Sequence, residues 1–230
     1  MLKTKRNIFF YLNIIIVFFI GYSFSTKADR DIANSCFQEE TDIKNLITIV
    51  KGVSSYYAHN FHNKRTASGE VFDMYGFTAA HRELPFGTIV KVVNKKNNQA
   101  VLLKINDRGP FIENRIIDIS YQAAKEISGL SVGIPQIDLI YFNTKKIIKR
   151  FDSTYYLGYS STNPFIVIKK TDVTVLEKSD SFEDVMDSYY SYSKDTNSRC
   201  YIFVEVGKVK KNAEYVLGFI TPKAIAQLTM

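Results

Sequence analysis

Residues that could do acid–base chemistry are concentrated in one stretch, residues 104–111, with the sequence Lys-Ile-Asn-Asp-Arg-Gly-Pro-Phe. The apolar run 100–105 predicts a β-strand, and Asp107 and Arg108 follow directly at its end. Gly109 and Pro110 then favour a turn over a continued strand. A carboxyl group on a loop held by a rigid strand is well placed to transfer protons. Asp107 is therefore a candidate acid and base, although the stretch taken alone could be only a turn.

The segments around Asp107 predict the scaffold that must position it. Residues 43–50 lead into a first strand, Gly52-Val-Ser-Ser-Tyr-Tyr is rich in β-formers, and 88–93 and 100–105 predict a hairpin around the loop 94–99. The runs 116–119 and 136–142 predict further short strands. Ser120 is placed to cap a helix over 121–127, and Gly129 to end it. We predict a six-stranded closed barrel over residues 50–143 with this helix packed on it.

The N-terminus predicts export. Lys3, Lys5 and Arg6 precede an apolar run over 8–24, as in a signal sequence or an uncleaved membrane anchor. We assign residues 1–28 to this segment and 29–49 to a linker. Cys36 and Cys200 could form a disulfide in an oxidising compartment. The charged residues between the apolar run and Cys36 argue against lipid attachment there.

The C-terminal third predicts a second structural region. Residues 144–160 are rich in lysine, tyrosine and serine, which suggests a linker. Strand-like runs follow at 164–169, 171–176, 200–206 and 215–220, with an acidic segment at 180–187. We expect residues 161–230 to form a small α+β region of unassigned role, which makes the chain mainly β overall.

Composition excludes some functions. The 230 residues carry 30 basic and 23 acidic side chains, a net charge of +7 that is spread along the chain. A basic patch typical of nucleic-acid binding is therefore not expected. His59 and His62 have no cysteines or carboxylates at metal-binding spacing beside them. We expect no metal and no cofactor.

Residues 51–143 resemble the rare lipoprotein A family of bacterial cell-envelope proteins. Eight motifs in the same order carry the resemblance: Ser55-Tyr56-Tyr57, Phe61-His62, Thr66-Ala67-Ser68-Gly69-Glu70, Phe72-Asp73-Met74, Thr78-Ala79-Ala80-His81, Leu84-Pro85-Phe86-Gly87-Thr88, Asn106-Asp107-Arg108-Gly109-Pro110-Phe111 and Arg115-Ile116-Ile117-Asp118-Ile119-Ser120. The resemblance implies a double-psi β-barrel, similar to that of expansins. It also implies a periplasmic lytic transglycosylase that acts on peptidoglycan and could contact the cell-division machinery.

The resemblance implies catalytic roles for Glu70, His81 and Asp107. Tyr57, Asn106, Arg108 and Asp118 are the candidate substrate-binding residues. Each also has a structural interpretation: Glu70 could be a solvated turn residue, His81 could bond only to backbone, and Asp118 could be a hydrogen-bond anchor. We expect Arg108 to point away from the Asp107 carboxylate.

The chemistry of glycan cleavage is compatible with a single acid/base. Glycosidic cleavage needs a proton for the leaving oxygen, and ordinary hydrolases use a second carboxylate to attack carbon or activate water. A lytic transglycosylase uses the sugar's own 6-hydroxyl as nucleophile, so one carboxyl group such as Asp107 can suffice. The alternative function is a non-catalytic peptidoglycan-binding or expansin-like wall-loosening module.

Overall fold

The computed structural model describes residues 45–56, 61–128, 136–193, 200–208, 213–221 and 224. The predicted signal segment, most of the 29–49 linker, Cys36, Tyr57 and Gly129 lie outside these ranges. The described residues fall within one compact unit, Ile43–Met230.

Six strands close a barrel, as predicted. They are β1 (Ile47–Tyr56), β2 (Thr78–Ala80), β3 (Ile89–Asn94), β4 (Ala100–Asp107), β5 (Arg115–Ile119) and β6 (Gln136–Phe142). Their order around the barrel is β1-β5-β2-β4-β3-β6. The first strand begins at Ile47, inside the segment expected to be a linker.

The barrel combines parallel and antiparallel pairing. β1 pairs in parallel with β5, and β2 pairs in parallel with β4. The other neighbouring pairs are antiparallel, including the β3–β4 hairpin. Val90, Val92, Leu103, Ile105 and Leu139 are fully buried. This apolar core holds β4 rigidly on both sides, so the end of β4 is a fixed platform.

Helix α1 (Tyr121–Ser128) packs on the barrel, and its first turn is capped as predicted. The hydroxyl of Ser120 accepts a hydrogen bond from the N–H of Ala123 at 3.2 Å. Ala123 and Ile127 are fully buried, so the apolar side of the helix faces the core. Asn94, at the end of β3, donates a bond to the Ile127 carbonyl at 2.9 Å and fixes the last turn.

The C-terminal region is an α+β structure, as predicted. Its elements are α2 (Thr144–Ile147), β7 (Tyr155–Tyr159), β8 (Ile166–Lys169), β9 (Val173–Ser179), α3 (Phe182–Ser193), β10 (Cys200–Glu205) and β11 (Tyr215–Ile220), and the sheet order is β8-β7-β10-β11-β9. Residues 182–187 of the acidic segment therefore form the first half of this helix. Phe182, Val185 and Met186 anchor this helix in the core.

Residues 144–160 differ from the linker that was expected. They contain α2 and β7, with Ile147 and Leu157 each 1% exposed. The polar composition misled the sequence interpretation, because the lysines point outward while tyrosines of β7 fill the core. Tyrosine can do this when its ring is buried.

The barrel and the C-terminal region share one core. Phe142 of β6 contacts Tyr159 and Phe165, with ring centroids 5.2 and 5.1 Å apart. Phe77, just before β2, stacks on Tyr190 of α3 at 4.8 Å. Aromatic pairs of this kind contribute about 0.5–1.5 kcal/mol each beyond the area they bury.

Two further features bear on the predictions from sequence. Among the described residues, no helix is both long and apolar enough to span a bilayer. Cys200 is a buried free thiol in β10, and burial raises its pKa to about 11. The proposed pairing partner, Cys36, is not among the described residues.

The pH dependence of stability can test the contact that Lys91 of β3 makes between the barrel and the C-terminal region. Its ammonium donates to the Asn163 carbonyl at 3.2 Å, and burial lowers the pKa of Lys91 to about 8. The unfolded chain, where the lysine has its ordinary pKa, therefore binds more protons between pH 8 and 10.5. The free energy of unfolding should rise with pH in this window, by about 1 kcal/mol between pH 7 and 9.

Denaturant unfolding at several pH values measures this contribution. Lys91→Met should lose the rise relative to wild type. Lys95→Met, which removes an ammonium with a 48% exposed side chain, should retain it. The same pH dependence in Lys91→Met and wild type would contradict the burial of this charge.

Candidate active site

The end of β4 carries a β-bulge. Ala79 of β2 pairs with Ile105, but the next residue, Ala80, pairs with Asp107, so Asn106 is an extra residue in β4. A bulge locally bends a strand and redirects its side chains, and bulges are frequent beside active sites. Gly109 then adopts φ +133°, a conformation that favours glycine, and the chain turns away from the barrel.

Backbone groups orient the Asp107 carboxylate. Its Oδ1 accepts hydrogen bonds from the N–H of Ala67 at 2.9 Å and from the N–H of Arg108 at 2.8 Å. The Ala67 contact spans 40 residues of sequence and attaches the loop 61–72 to the strand end. The carboxylate therefore has a fixed orientation at a half-buried position.

Glu70 lies on the same loop and forms a polar cluster with two residues of β4. Its Oε2 accepts a hydrogen bond from the Asn106 amide at 3.0 Å and lies 3.3 Å from the ammonium of Lys104. The N–H of Ser68 donates to the Asn106 carbonyl at 3.2 Å and holds the loop in place. Glu70 is thus an ion-paired side chain rather than only a solvated turn residue.

His81 follows β2 and is joined to Asp107 through the backbone. Its N–H donates to the Asp107 carbonyl at 3.2 Å. Its Nδ1 accepts from the N–H groups of Glu83 and Leu84 at 3.1 and 3.0 Å. Burial lowers the pKa of His81, Glu83 opposes this, and the positive charges of Arg108 and Arg82 lower it further.

The neutral ring of His81 must carry its proton on Nε2, because Nδ1 is an acceptor. The imidazole can therefore donate a hydrogen bond through Nε2 at neutral pH. Nδ1 of His81 therefore bonds to backbone, as the structural interpretation expected, while Nε2 can still donate a hydrogen bond.

Arg108 points away from the Asp107 carboxylate, as expected. Its guanidinium lies over the Phe86 ring, 3.7 Å from the centroid, and Nη1 donates to the carbonyls of His81 and Leu84 at 3.1 and 2.9 Å. These contacts fix the loop that follows β2. They give Arg108 a supporting role, where a substrate contact was expected.

Asp118 of β5 pairs with Arg115. Its Oδ2 accepts from Arg115 Nη2 at 3.1 Å, and the two side chains are only 14% and 19% exposed. Burial raises the pKa of Asp118, while Arg115 and Arg82 oppose the rise. Among the described residues, Asp118 Oδ1 is a buried oxygen with no hydrogen-bond partner. This environment matches the structural-anchor interpretation.

Sequence reasoning missed Arg82. Its Nε donates to the Pro110 carbonyl at 2.6 Å, and Nη2 donates to the carbonyls of Ile112 and Arg115 at 3.0 and 3.2 Å. One side chain therefore ties the loop after Asp107 to the loop after β2. No local sequence signal marks these contacts, because they span 28 to 33 residues.

Sequence reasoning also missed Lys104 and Glu183. A cavity of about 240 Å³ is lined by polar residues of the barrel and one of the C-terminal helix, among them Glu70, Lys104, Asn106 and Glu183. Within the described ranges, no cluster of three or more histidine, cysteine or acidic side chains could hold a metal ion. The cavity lining instead joins an ammonium, an amide and two carboxylates through ion pairs and a hydrogen bond.

The structure brings the three candidate catalytic residues to one strand end. The loop carrying Glu70 bonds to the Asp107 carboxylate, and His81 bonds to the Asp107 backbone. Asn106 joins Glu70 directly. Tyr57, the remaining candidate, lies outside the described residues.

Comparisons with known proteins agree with this arrangement. Residues 49–139 match a family model described as "Lytic transglycolase", and this range contains most of the barrel, the bulge and all three candidate residues. "Endolytic peptidoglycan transglycosylase RlpA" of Helicobacter pylori strain J99 is 42% identical over 129 residues, which cover 56% of this chain and 40% of that protein. Over the barrel domain, the chain is similar to the rare lipoprotein A family. The resemblance based on motifs is confirmed.

A second curated relative matches over a shorter stretch. "Probable endolytic peptidoglycan transglycosylase RlpA" of Synechocystis sp. is 51% identical over 88 residues, 38% of this chain and 27% of that protein. The chain thus spans well under half the length of these curated relatives. The expansin of Clavibacter michiganensis superposes with a TM-score of 0.34 and 11% identity, over 76% of this chain and 80% of that chain.

Arg82→Lys tests whether the Arg82 hydrogen bonds hold the loop that follows Asp107. Lysine cannot reach three carbonyls at once, and each lost hydrogen bond to a charged group costs about 1.5–3 kcal/mol. Amide exchange at residues 111–115 should therefore accelerate by roughly tenfold or more, measured by mass spectrometry. Arg150→Lys, at an exposed arginine outside the site, is the control and should leave this segment unchanged.

Asp118→Asn tests whether the bond between Asp118 and Arg115 stabilises the fold. Asparagine can still accept from Arg115, but the charge-assisted bond becomes a neutral one, so the free energy of unfolding should fall by about 1 kcal/mol. Because Asp118 supports β5, any catalytic turnover should stay within about twofold of wild type. A larger loss of turnover without a loss of stability, measured by denaturant titration, would instead assign Asp118 to the substrate.

Proposed function

We propose that this chain is an endolytic peptidoglycan lytic transglycosylase. The observation that carries the proposal is the oriented Asp107 carboxylate at the bulged end of β4, where the loop that carries Glu70 and the backbone N–H of His81 both bond to Asp107, inside the matched domain. The substrate is the glycan strand of alternating N-acetylmuramic acid and N-acetylglucosamine, in regions that lack stem peptides. The products carry 1,6-anhydro-N-acetylmuramic acid ends.

In the proposed mechanism Asp107 transfers the protons. As a base, the carboxylate takes the proton of the 6-hydroxyl, whose oxygen forms the new bond to C1. As an acid, it gives that proton to the glycosidic oxygen while the old bond to C1 breaks. No water is consumed, and Asp107 ends in its starting protonation state. Backbone N–H groups hold the carboxylate in one orientation throughout, which lowers the entropic cost of both transfers.

The neighbours have supporting roles in this proposal. Neutral His81 donates a hydrogen bond from Nε2 to the sugar or to the developing negative charge. Glu70, held by Lys104 and Asn106, stabilises positive charge on the sugar ring in the oxocarbenium-like transition state. Tyr57 and Asn106 contact the sugar. Arg108 and Asp118 support the walls of the site through their own partners.

The location and partners follow from the substrate. Peptidoglycan lies outside the cytoplasmic membrane, so we place the protein in the periplasm. The N-terminal apolar segment directs its export and either is cleaved or stays as an anchor. Cell-division proteins are candidate partners through the C-terminal region.

Asp107→Asn tests the mechanism in the full chain. The exchange is nearly isosteric and removes proton transfer, so release of anhydro ends from denuded glycan should fall by roughly 100- to 10,000-fold. Mass spectrometry of the products measures this. Glycan binding in a co-sedimentation assay should persist, since the walls of the site are intact.

Asp152→Asn, at an exposed turn outside the site, is the matched control and should cleave at the wild-type rate. Wild-type cleavage by Asp107→Asn would exclude Asp107 as the acid/base. Binding without cleavage by the wild-type chain would instead support the non-catalytic wall-binding module.

A further inference from the structure

Helix α3 brings a carboxylate from outside the family domain to the candidate active site. Glu183 lies in its first turn, where the partial positive charge of the helix N-terminus favours an acidic side chain. The Ser181 hydroxyl accepts from the N–H of Asp184 at 3.2 Å and caps this turn. Phe182 and Val185, on either side of Glu183, are fully buried. Glu183 is therefore carried by a firmly anchored helix.

The ammonium of Lys104 lies between Glu183 and Glu70. It is 3.2 Å from Glu183 Oε1 and 3.3 Å from Glu70 Oε2. The Lys104 side chain is only 10% exposed, whereas the two glutamates are 43% and 45% exposed. A lysine this deeply buried needs opposite charge to offset its lost hydration. In the described part of the chain, only these two carboxylates form ion pairs with it.

The cluster continues from Lys104 to the residue beside Asp107. Glu70 Oε2, which contacts Lys104, also accepts the bond from Asn106. The contacts therefore run from Glu183 to Lys104, from Lys104 to Glu70 and from Glu70 to Asn106. Without Glu183, the Lys104 ammonium would have a single partly exposed partner and could move toward solvent together with Glu70.

We propose that Glu183 is a positioning residue of the glycan-cleaving site. It fixes the Lys104 ammonium against Glu70, so the site is completed by a helix that lies beyond the family's domain. The expected effect of Glu183 on kcat rests on the proposed function. The position of Lys104 between Glu183 and Glu70 rests on the ion-pair distances alone.

Glu183→Gln in the full chain, purified in mild detergent, tests the catalytic consequence. Glutamine keeps the shape of the side chain and removes its charge. We expect kcat on soluble denuded glycan to fall about tenfold, less than the roughly 100-fold that a 1 Å misplacement can cost. KM should stay within about twofold, because the sugar contacts are unchanged.

Asp187→Asn is the matched control, since it removes the same charge from an exposed position of the same helix. Both variants should melt within a few degrees of each other. A merely structural role for Glu183 predicts lower thermal stability with unchanged kcat in the folded fraction, and that result would overturn the proposal.

A double-mutant cycle tests whether Glu183 acts through Lys104. In a Lys104→Met background, adding Glu183→Gln should change kcat by less than about twofold. An equally large effect of Glu183→Gln in both backgrounds would show that it acts by another route, and would overturn the proposal.

Lysine labelling tests the arrangement without relying on activity. Acetylation of Lys104 by acetic anhydride, quantified by mass spectrometry against exposed Lys149, should increase several-fold in Glu183→Gln but not in Asp187→Asn. If the wild-type chain releases no anhydro ends, the proposed function is wrong, and so is the effect of Glu183 on kcat. Increased labelling of Lys104 in Glu183→Gln would even then support the ion pair between Glu183 and Lys104. Unchanged labelling would overturn the inference even in an active enzyme.

Discussion

The extra residue in β4 is the constraint on which the candidate site depends. β4 is buried along almost its whole length, pairs with β3 over 100–104 and pairs with β2 over its last residues. The bulge at Asn106 interrupts the pairing with β2 one residue before the end. It leaves the backbone carbonyl and the side-chain amide of Asn106 available to the loop that carries Glu70. It also aligns Asp107 with Ala80 and His81. Three separate loops thereby meet at a point that the barrel core holds rigid.

The two candidate carboxylates have different surroundings. Asp107 is held by neutral backbone N–H groups, whereas Glu70 is held by an ammonium and an amide. The Lys104 ammonium partly neutralises Glu70 and holds it in place, whereas the N–H groups that hold Asp107 Oδ1 carry no net charge. This asymmetry is the reason that the proposal gives proton transfer to Asp107 and charge stabilisation to Glu70.

Most of the fold could be predicted from sequence, because its signals are local. Runs of β-formers mark the barrel strands, Ser120 marks the start of α1, and Gly109 marks the turn after β4. The missed features depend on distant contacts. Glu183 is 79 residues from Lys104 and belongs to a segment that, by composition, is simply acidic. Arg82 looks like any exposed arginine until its three carbonyl partners are known, and β7 was hidden by the polar composition around its tyrosines.

The stacking of Phe77 on Tyr190 and of Phe142 against Tyr159 has a consequence for domain exchange. The family domain ends at residue 139, but the hydrophobic core continues into the C-terminal sheet. A barrel joined to a different partner would expose these rings to water unless the new partner supplied an apolar face of its own. The C-terminal region is thus a structural part of the fold that holds the barrel, rather than a separable module.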